Sequence, residues 1–251
     1  MYKMIGALVC GSVIGLALIG AAAASPVPPT PPVITAPTPP SITPPTPPAA
    51  VNVSGQESAI QQDVSQLLAA GTQGNQANPL CAYPQPSQVF LPWGDSSYYA
   101  LAPDGDFSTS GEWSLNSDAL VVSGADPYSG AQQSLQLSAS GQAATPVMCV
   151  NVNDPTIRFF VQDQNGSGNA DLRVDVLYQA RNGNVQSLTI ARVSSGSSWQ
   201  PSPSVVIRVN RLAAASPSGE TAVAFVFTAE GLAQNETLGI SSLYVDPFQS
   251  V

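Results

Sequence analysis

Short β-rich runs that follow Cys81 restrict the possible fold more than any other feature of this sequence. They return roughly every dozen residues, separated by clusters of Gly, Asn, Asp, Pro and Ser, a spacing typical of all-β domains. Residues 181–184 (RNGN) lie between two long alternating runs and predict a hairpin. We predict strands at SQVFL, YYAL, ALVVS, SLQLS, PVMCV, TIRFFVQ, DLRVDVLYQ, VQSLTIARV, SVVIRV, TAVAFVFT and TLGISSLYV. No long amphipathic pattern interrupts the series, so residues 79–251 are predicted to form a two-sheet antiparallel β-sandwich.

Residues 1–24 have the organisation of a secretory signal peptide. Lys3 precedes an uncharged apolar run, and small residues, among them Ala22 and Ala24, end it. We expect cleavage after Ala24; an uncleaved membrane anchor is the alternative, because about 20 apolar residues span a bilayer. Either outcome predicts an extracytoplasmic protein, secreted or associated with the cell surface. Membrane contact is expected only through this segment, and only if the segment is uncleaved.

A proline-rich spacer and one short helix are expected before the β-domain. Residues 25–50 hold 12 of the 24 prolines, which favours an extended polyproline II conformation. Within residues 51–78, Ser54 and Glu57 form a capping box for a helix predicted over residues 55–70. The apolar positions on one face of that helix are Ile60, Val64, Leu67 and Leu68. The pattern leaves open whether the helix docks on the β-domain, pairs with another chain or stays isolated.

Export also determines how the three cysteines are interpreted. Cys10 belongs to the signal segment, which leaves Cys81 and Cys149. Two cysteines in an oxidising compartment generally pair, so a disulfide between them is predicted, with two buried free thiols as the alternative. Such a bridge contributes about 4 kcal/mol to stability in the chain-entropy model.

Charge and residue usage exclude several classes of function. The net charge is −9, only 9% of residues are charged, and Lys3 is the one lysine beside six arginines. An acidic, arginine-poor surface disfavours binding to nucleic acid or to anionic lipid. The sequence contains no histidine, which removes the usual general base, and it has no phosphate-binding loop. We therefore expect neither an enzyme nor a cofactor; a glycosidase, which needs only two carboxylates, is the remaining catalytic alternative.

Residues 104–138 (DGDFSTSGEWSLNSDALVVSGADPYSGAQQSLQLS) resemble the N-terminal half of carbohydrate-binding modules of the galactose-binding-like jelly-roll type. Those modules have a G-x-F-E segment, a G-W, a strand ending in SG, and a YSG followed by SL-L. Trp199 in SSWQPS and the closing LGISSLYVDP also match, so the likeness spans residues 104–247. It implies an antiparallel jelly-roll β-sandwich that binds carbohydrate without catalysis. The whole chain is also similar to uncharacterised exported proteins of actinobacteria.

The same resemblance raises the question of a structural Ca²⁺ ion. The family places acidic ligands at positions that are Ser108, Ser241 and Ser242 in this chain, and hydroxyls are poor substitutes for carboxylates around Ca²⁺. The weak candidates for a rebuilt site are Asp104, Asp106 and Asp246.

The three tryptophans receive different predictions. Trp113 and Trp199 are expected in the core, with ligand stacking as the alternative, because a buried indole contributes a large apolar area. Trp93 lies in a turn beside Tyr98 and Tyr99. These three rings are predicted to form either an exposed sugar platform or a lid over the edge of the core.

Strand alternation places several arginines on the side away from the core. Arg158 and Phe160 alternate with apolar residues in TIRFFVQ, as Arg173 and Asp175 do in DLRVDVLYQ. If these strands share a sheet, its outer face presents guanidinium donors, a carboxylate and an exposed ring, which suit a polyhydroxylated ligand. Cross-strand ion pairs on a solvated face are the alternative.

Together these observations predict an exported, non-catalytic binding module whose partner is a glycan of the cell envelope or an external polysaccharide. A structural or adhesive surface protein without a sugar site is the second hypothesis. The candidate ligand-binding residues are Arg158, Phe160, Arg173, Asp175, Trp93, Tyr98 and Tyr99.

Overall fold

The structure is a computed structural model, and all its described residues belong to the compact unit Ala49–Val251. It describes residues 59–60, 62–64, 66, 68, 83–151, 156–165, 170–180, 182, 184–208 and 220–246. The predicted signal peptide, proline-rich spacer, joint after the helix and Cys81 lie outside these residues. Within them, no helix has both the length and the apolar character needed to cross a membrane.

The described residues form thirteen β-strands, one 3₁₀ turn at Leu91–Trp93 and helical residues between 59 and 68. The strands are β1 (Ala100–Leu101), β2 (Ser114–Leu115), β3 (Ala119–Ser123), β4 (Gln133–Leu137), β5 (Gln142–Ala144), β6 (Met148–Val150), β7 (Thr156–Gln164), β8 (Asp171–Gln179), β9 (Val185–Ser194), β10 (Gln200–Pro201), β11 (Val205–Val206), β12 (Thr221–Glu230) and β13 (Thr237–Val245).

These strands build two antiparallel sheets. The first sheet has the order β10-β7-β13-β4-β3, with β1 also paired to β13 and β11 to β7. The second sheet has the order β2-β5-β12-β8-β9, with β6 also paired to β12. The predicted hairpin is present, because β8 and β9 pair from Gln179 opposite Val185 onward. The fold is therefore the antiparallel jelly-roll β-sandwich that the sequence predicts.

The core lies between the two sheets and follows the predicted alternation. β7, β8 and β12 each turn every second residue inward, where it is shielded from water. Each buried apolar side chain of this size contributes roughly 1.5–3 kcal/mol. The inward residues of β7, β8 and β12 are Ile157, Phe159, Val161, Leu172, Val174, Val176, Val223, Phe225 and Phe227. Trp113 joins them at 6% exposure, and its indole N–H donates to the carbonyl oxygen of Asp104 (2.9 Å). Its predicted core position is confirmed.

Two predicted strands differ from the structure. SQVFL contains a turn that leads into the 3₁₀ turn, since Pro92 fixes the backbone and Gly94 ends the turn with φ of 82°. Among the described residues of SVVIRV, only Val205–Val206 form a strand, and Arg208 adopts a positive φ of 60°. The structure adds the short strands β2, β5 and β10, which the sequence did not predict.

The predicted helix docks on the outer face of the second sheet. The described residues between 59 and 68 are helical, and Ile60, Val64 and Leu68 are buried. They pack against apolar outward residues of β5, β8, β12 and the loop after β5: Ala144, Val147, Leu177, Ala224 and Val226. Of the three possibilities that the sequence left open, the structure has the docked helix.

We expect Leu68→Ala to lower the free energy of unfolding by about 2 kcal/mol or more, because it leaves a cavity in this apolar contact. Gln62→Ala, at an exposed position of the same helix, is the matched control and should leave stability unchanged. Urea unfolding followed by circular dichroism measures both. Equal midpoints for Leu68→Ala and the wild type would contradict the docked helix.

Candidate functional site

The outer face of the first sheet, the side turned away from the core, carries amide side chains around a glycine. Gly239 in β13 lies opposite Gln136 in β4 and Gln162 in β7, so these positions form one row across three strands. Gln164 follows on β7 and lies opposite Thr237. This part of the face is uncharged.

Trp199 lies over the glycine of this row. A Cβ atom built on Gly239 would lie 2.8 Å from Cη2 of Trp199 and 2.8 Å from Nε2 of Gln164. Only glycine therefore lets the indole lie so close to β13. Trp199 is half-buried on the outer side of the sheet, so the predicted core position is wrong for this tryptophan.

The segment before β10 that carries Trp199 is fixed to β7. Gln162 Nε2 donates to the carbonyl oxygen of Ser197 (2.9 Å), and the N–H of Asp163 donates to the carbonyl oxygen of Gly196 (2.8 Å). Two hydrogen bonds from β7 therefore set the position of the Trp199 indole relative to the first sheet.

The two glutamines beside Trp199 are partly engaged with each other. Gln136 Nε2 donates to Gln164 Oε1 (2.9 Å) and to Thr237 Oγ1 (3.2 Å). Among the described residues, Gln136 Oε1 and Gln164 Nε2 make no hydrogen bond. One acceptor and one donor are thus oriented by the network and available to a ligand.

These groups line a shallow cleft of about 380 Å³. Its walls contain an indole, amides, hydroxyls and backbone, and no charged side chain. The lining residues are Val122, Ser123, Gly124, Ala125, Ser134, Gln136, Gln164 and Trp199. Such a cleft offers an apolar plate together with neutral hydrogen-bonding groups.

Phe160 lies on the same outer face but is covered. It is 0% exposed, with its ring centroid 5.3 Å from that of Phe90 and 5.5 Å from those of Trp93 and Tyr128. Alternation correctly placed Phe160 outside the core, but the predicted exposed ring is wrong, because the 3₁₀ turn and the loop after β3 cover it. Trp199 also packs on this aromatic cluster.

Trp93 and Tyr128 form the exposed surface of that cluster, which we call the aromatic corner. Their ring centroids are 4.8 Å apart in an edge-to-face arrangement, and the residues are 38% and 54% exposed. The predicted platform of Trp93, Tyr98 and Tyr99 is thus only partly present. Tyr98 is exposed but makes none of these ring contacts, and Tyr99 is buried with its hydroxyl bound to Asp95.

Arg158 lies beneath the 3₁₀ turn. Its Nη1 forms an ion pair with Asp95 Oδ2, and its Nε and Nη2 donate to the carbonyl oxygen of Ser202 at 3.0 and 2.8 Å. The guanidinium carbon lies 4.3 Å from the centroid of the Phe90 ring. Arg158 is buried and each of its three guanidinium nitrogens makes a hydrogen bond within the protein, so it is not the exposed donor that the sequence predicted.

Asp95 is held in its charged form. Burial raises its pKa, but hydrogen bonds from the Ser97 N–H, the Tyr99 hydroxyl and Arg158 outweigh burial, and the pKa lies below its usual value. The stabilisation from this carboxylate is therefore present above the usual pKa of 3.8 and is lost as the pH falls through the lower folded-state pKa.

Asp126 fixes the loop that carries Tyr128. Its Oδ1 accepts the backbone N–H groups of Tyr128 (2.8 Å) and Ser129 (2.7 Å). Its Oδ2 accepts three hydroxyls, those of Ser129, Ser241 and Ser242. Burial and the charge of Asp126 raise the pKa of nearby Tyr244 to about 12. Ser241 and Ser242 of β13, at positions where the resemblance implies acids, thus bind a carboxylate from the loop after β3.

Arg173 and Asp175 lie on the outer face of the other sheet. Arg173 pairs with Asp175 and Glu230, both at 2.8 Å, and Arg192 pairs with Glu230 at 3.0 Å. The predicted single face with Arg158 and Phe160 is wrong, because β7 and β8 belong to different sheets. The ion pairs of Glu230 with Arg173 and Arg192 join different strands and correspond to the alternative that the sequence left open.

The weak calcium candidates do not form a metal cluster among the described residues. Asp104 Oδ1 accepts the Thr109 N–H at 2.7 Å, and Asp106 Oδ1 accepts the Ser108 N–H at 3.2 Å. Burial, together with the charges of Asp106 and Glu112, raises the pKa of Asp104. Asp246 is buried, and its backbone N–H donates to the carbonyl oxygen of Thr156 (2.9 Å).

Sequence reasoning missed Tyr128, Gln136, Gln164 and Gly239 as site residues. The sequence did contain a pattern that indicates Gln136, Gln164 and Gly239. Gln136 and Gln164 occupy outward positions of alternating strands, and a glycine inside the strand TLGISSLYV marks close approach of another group.

Among known proteins, this chain is similar to solved structures but matches no family model or curated sequence. The CBM22-1 xylan-binding domain of Paenibacillus barcinonensis Xyn10C is 14% identical, with a TM-score of 0.39, over 57% of this chain and 90% of that domain. The C-terminal family 22 carbohydrate-binding module of Clostridium thermocellum Xyn10B is 16% identical, with a TM-score of 0.36, over 59% of this chain and 93% of that module.

A third solved structure, TmCBM61 in complex with β-1,4-galactotriose, is 12% identical, with a TM-score of 0.33, over 56% of this chain and 90% of that chain. These neighbours are carbohydrate-binding modules. Likenesses of this size do not identify a ligand, so the function must be inferred from the side chains of the first sheet.

Proposed function

We propose that this protein is a non-catalytic carbohydrate-binding module and that its ligand occupies the outer face of the first sheet beside Trp199. The observation that carries the proposal is the indole lying over Gly239 next to two oriented glutamines. The previously predicted arginine face has no part in it.

Sugars require two kinds of contact that this cleft supplies. The C–H faces of a pyranose are apolar and stack on a flat aromatic ring such as the indole of Trp199. The sugar hydroxyls need directional hydrogen-bond donors and acceptors. Gln136 Oε1, Gln164 Nε2 and the hydroxyl of Ser123 provide them.

The uncharged lining favours a neutral glycan. A chain with a net charge of −9 repels polyanions, and no cationic side chain lines the cleft to bind them. The lining also offers no carboxylate for acid–base hydrolysis, so we propose binding at this cleft rather than glycosidase chemistry.

Affinity electrophoresis of the full chain tests this function. Native gels containing xylan, β-1,4-galactan or polygalacturonate are compared with a gel without polysaccharide. We expect at least one neutral polysaccharide to retard the protein and polygalacturonate to leave its mobility unchanged. A folded protein whose mobility no neutral polysaccharide changes would contradict the proposal and favour a structural or adhesive role.

We propose further that the protein is exported, as the sequence predicts, and that Cys81 pairs with Cys149. The pairing is supported by the burial of Cys149 in β6. The hydroxyl of Tyr83, two positions after Cys81, donates to the carbonyl oxygen of Cys149. Thiol titration of the mature, denatured protein should find no free sulfhydryl; two free thiols would contradict the bridge.

A further inference from the structure

The 3₁₀ turn that presents Trp93 is attached to the first sheet by the Arg158–Asp95 ion pair and by the packing of Phe90 and Trp93 on Phe160. The turn spans Leu91–Trp93 and closes on Gly94, followed directly by Asp95. Between residues 87 and 99 the described backbone makes one isolated bridge, Ser87 with Tyr99. Side-chain contacts therefore decide where the Trp93 ring lies.

We propose that Arg158 and Asp95 are positioning residues that hold Trp93 as part of a second carbohydrate contact, the aromatic corner. The inference rests on the function proposed above and extends it. The corner and the cleft share a floor, because Trp93 and Trp199 both pack on the cluster that contains Phe160. A ligand reaching both is an oligosaccharide of several residues rather than a single terminal sugar.

Arg158 is suited to this role because each of its groups contacts a different part of the assembly. Nη1 pairs with Asp95, next to the turn; Nε and Nη2 bind the carbonyl oxygen of Ser202, after β10; the guanidinium plane covers Phe90, before the turn. The planar fork of arginine makes these contacts together, which a lysine ammonium does not.

Asp126 holds the other ring of the corner. Its carboxylate binds the backbone N–H of Tyr128 and the hydroxyls of Ser241 and Ser242 on β13. Both exposed rings are thus attached to the first sheet through buried polar contacts, and a rigid aromatic surface loses little conformational entropy when a ligand binds.

The three tryptophans provide separate reporters for a test. Trp113 lies in the core, Trp199 in the cleft and Trp93 at the corner. Their indole N–H signals are assigned with single Trp→Phe variants and followed by NMR. The probes are trimers and hexamers of the polysaccharide that retards the protein, xylotriose and xylohexaose where that is xylan.

We expect the hexamer to shift the signals of Trp199 and Trp93 and to leave that of Trp113 in place. In Asp95→Asn, the Trp93 response should disappear and the hexamer should bind about fivefold more weakly, with trimer affinity and the Trp199 response retained. Arg158→Lys should give an intermediate loss. A purely structural role of the ion pair would lower the melting temperature without changing which indole responds.

Two results would overturn the inference while leaving the proposed function intact. One is a hexamer that shifts Trp199 but not Trp93 in the wild type. The other is an Asp95→Asn variant that keeps both the Trp93 response and the hexamer affinity. If no indole signal responds and no polysaccharide retards the protein, the proposed function fails together with the inference.

Discussion

Trp199→Ala is expected to weaken binding of the hexamer by about 30-fold or more, because truncating an anchoring aromatic ring generally costs about 2 kcal/mol or more. The ring lies on the outer side of the sheet, where its loss removes the plate over β13 and leaves the core between the sheets intact. Isothermal titration calorimetry gives the affinity, and a thermal melt monitored by circular dichroism gives the stability.

Gly239→Ala is expected to weaken hexamer binding as well, through displacement of the Trp199 ring instead of its removal. The new methyl group would meet the indole and Gln164 Nε2 at 2.8 Å, so Trp199 must move while remaining in the protein. Arg173→Ala, on the opposite sheet, is the matched control and should keep wild-type affinity. Unchanged affinity in Trp199→Ala, or a loss in Arg173→Ala equal to it, would contradict the assigned face.

Trp113→Ala should lower the stability of the protein and leave its affinity for the glycan unchanged, the reverse of Trp199→Ala. Its ring centroid lies 4.7 Å from that of Phe107 and 5.9 Å from that of Phe227, inside the main core. Removing the ring leaves a cavity that costs about 3–5 kcal/mol, a large share of the roughly 5–15 kcal/mol available to a folded domain. We expect the melting temperature to fall by about 10 °C.

Glycan affinity of the folded Trp113→Ala protein should equal that of the wild type when both are measured well below the transition. Trp113→Phe keeps a ring in the site and should lose much less stability. A variant that melts like the wild type but no longer binds would show that Trp113, rather than Trp199, contacts the ligand.

The fold was predictable where strands are long. β7, β8 and β12 alternate over nine or ten residues, which is enough to reveal a period of two. β2 and β10 have two residues each, too few to display any period. The predicted strand SQVFL shows a related limit, since Pro92 and Gly94 convert the end of an apparently β-rich run into a 3₁₀ turn.

The site was less predictable because alternation assigns a side of a strand and nothing more. It placed Arg158 and Arg173 outside the core correctly, but sheet membership depends on long-range pairing, and these two strands lie in different sheets. The prediction from strand alternation also assumed that a side chain on the outer side of a sheet is exposed to solvent. Phe160 is outward yet buried, because a segment far from it in sequence covers the sheet there.

A crystal structure of the protein with the hexameric oligosaccharide decides whether the Trp199 cleft is the binding site. We expect sugar density on the outer face of the first sheet, with one pyranose ring stacked on Trp199 and hydroxyls bound to Gln136 and Gln164. Density on the second sheet beside Arg173 and Glu230, with the Trp199 cleft empty, would contradict it.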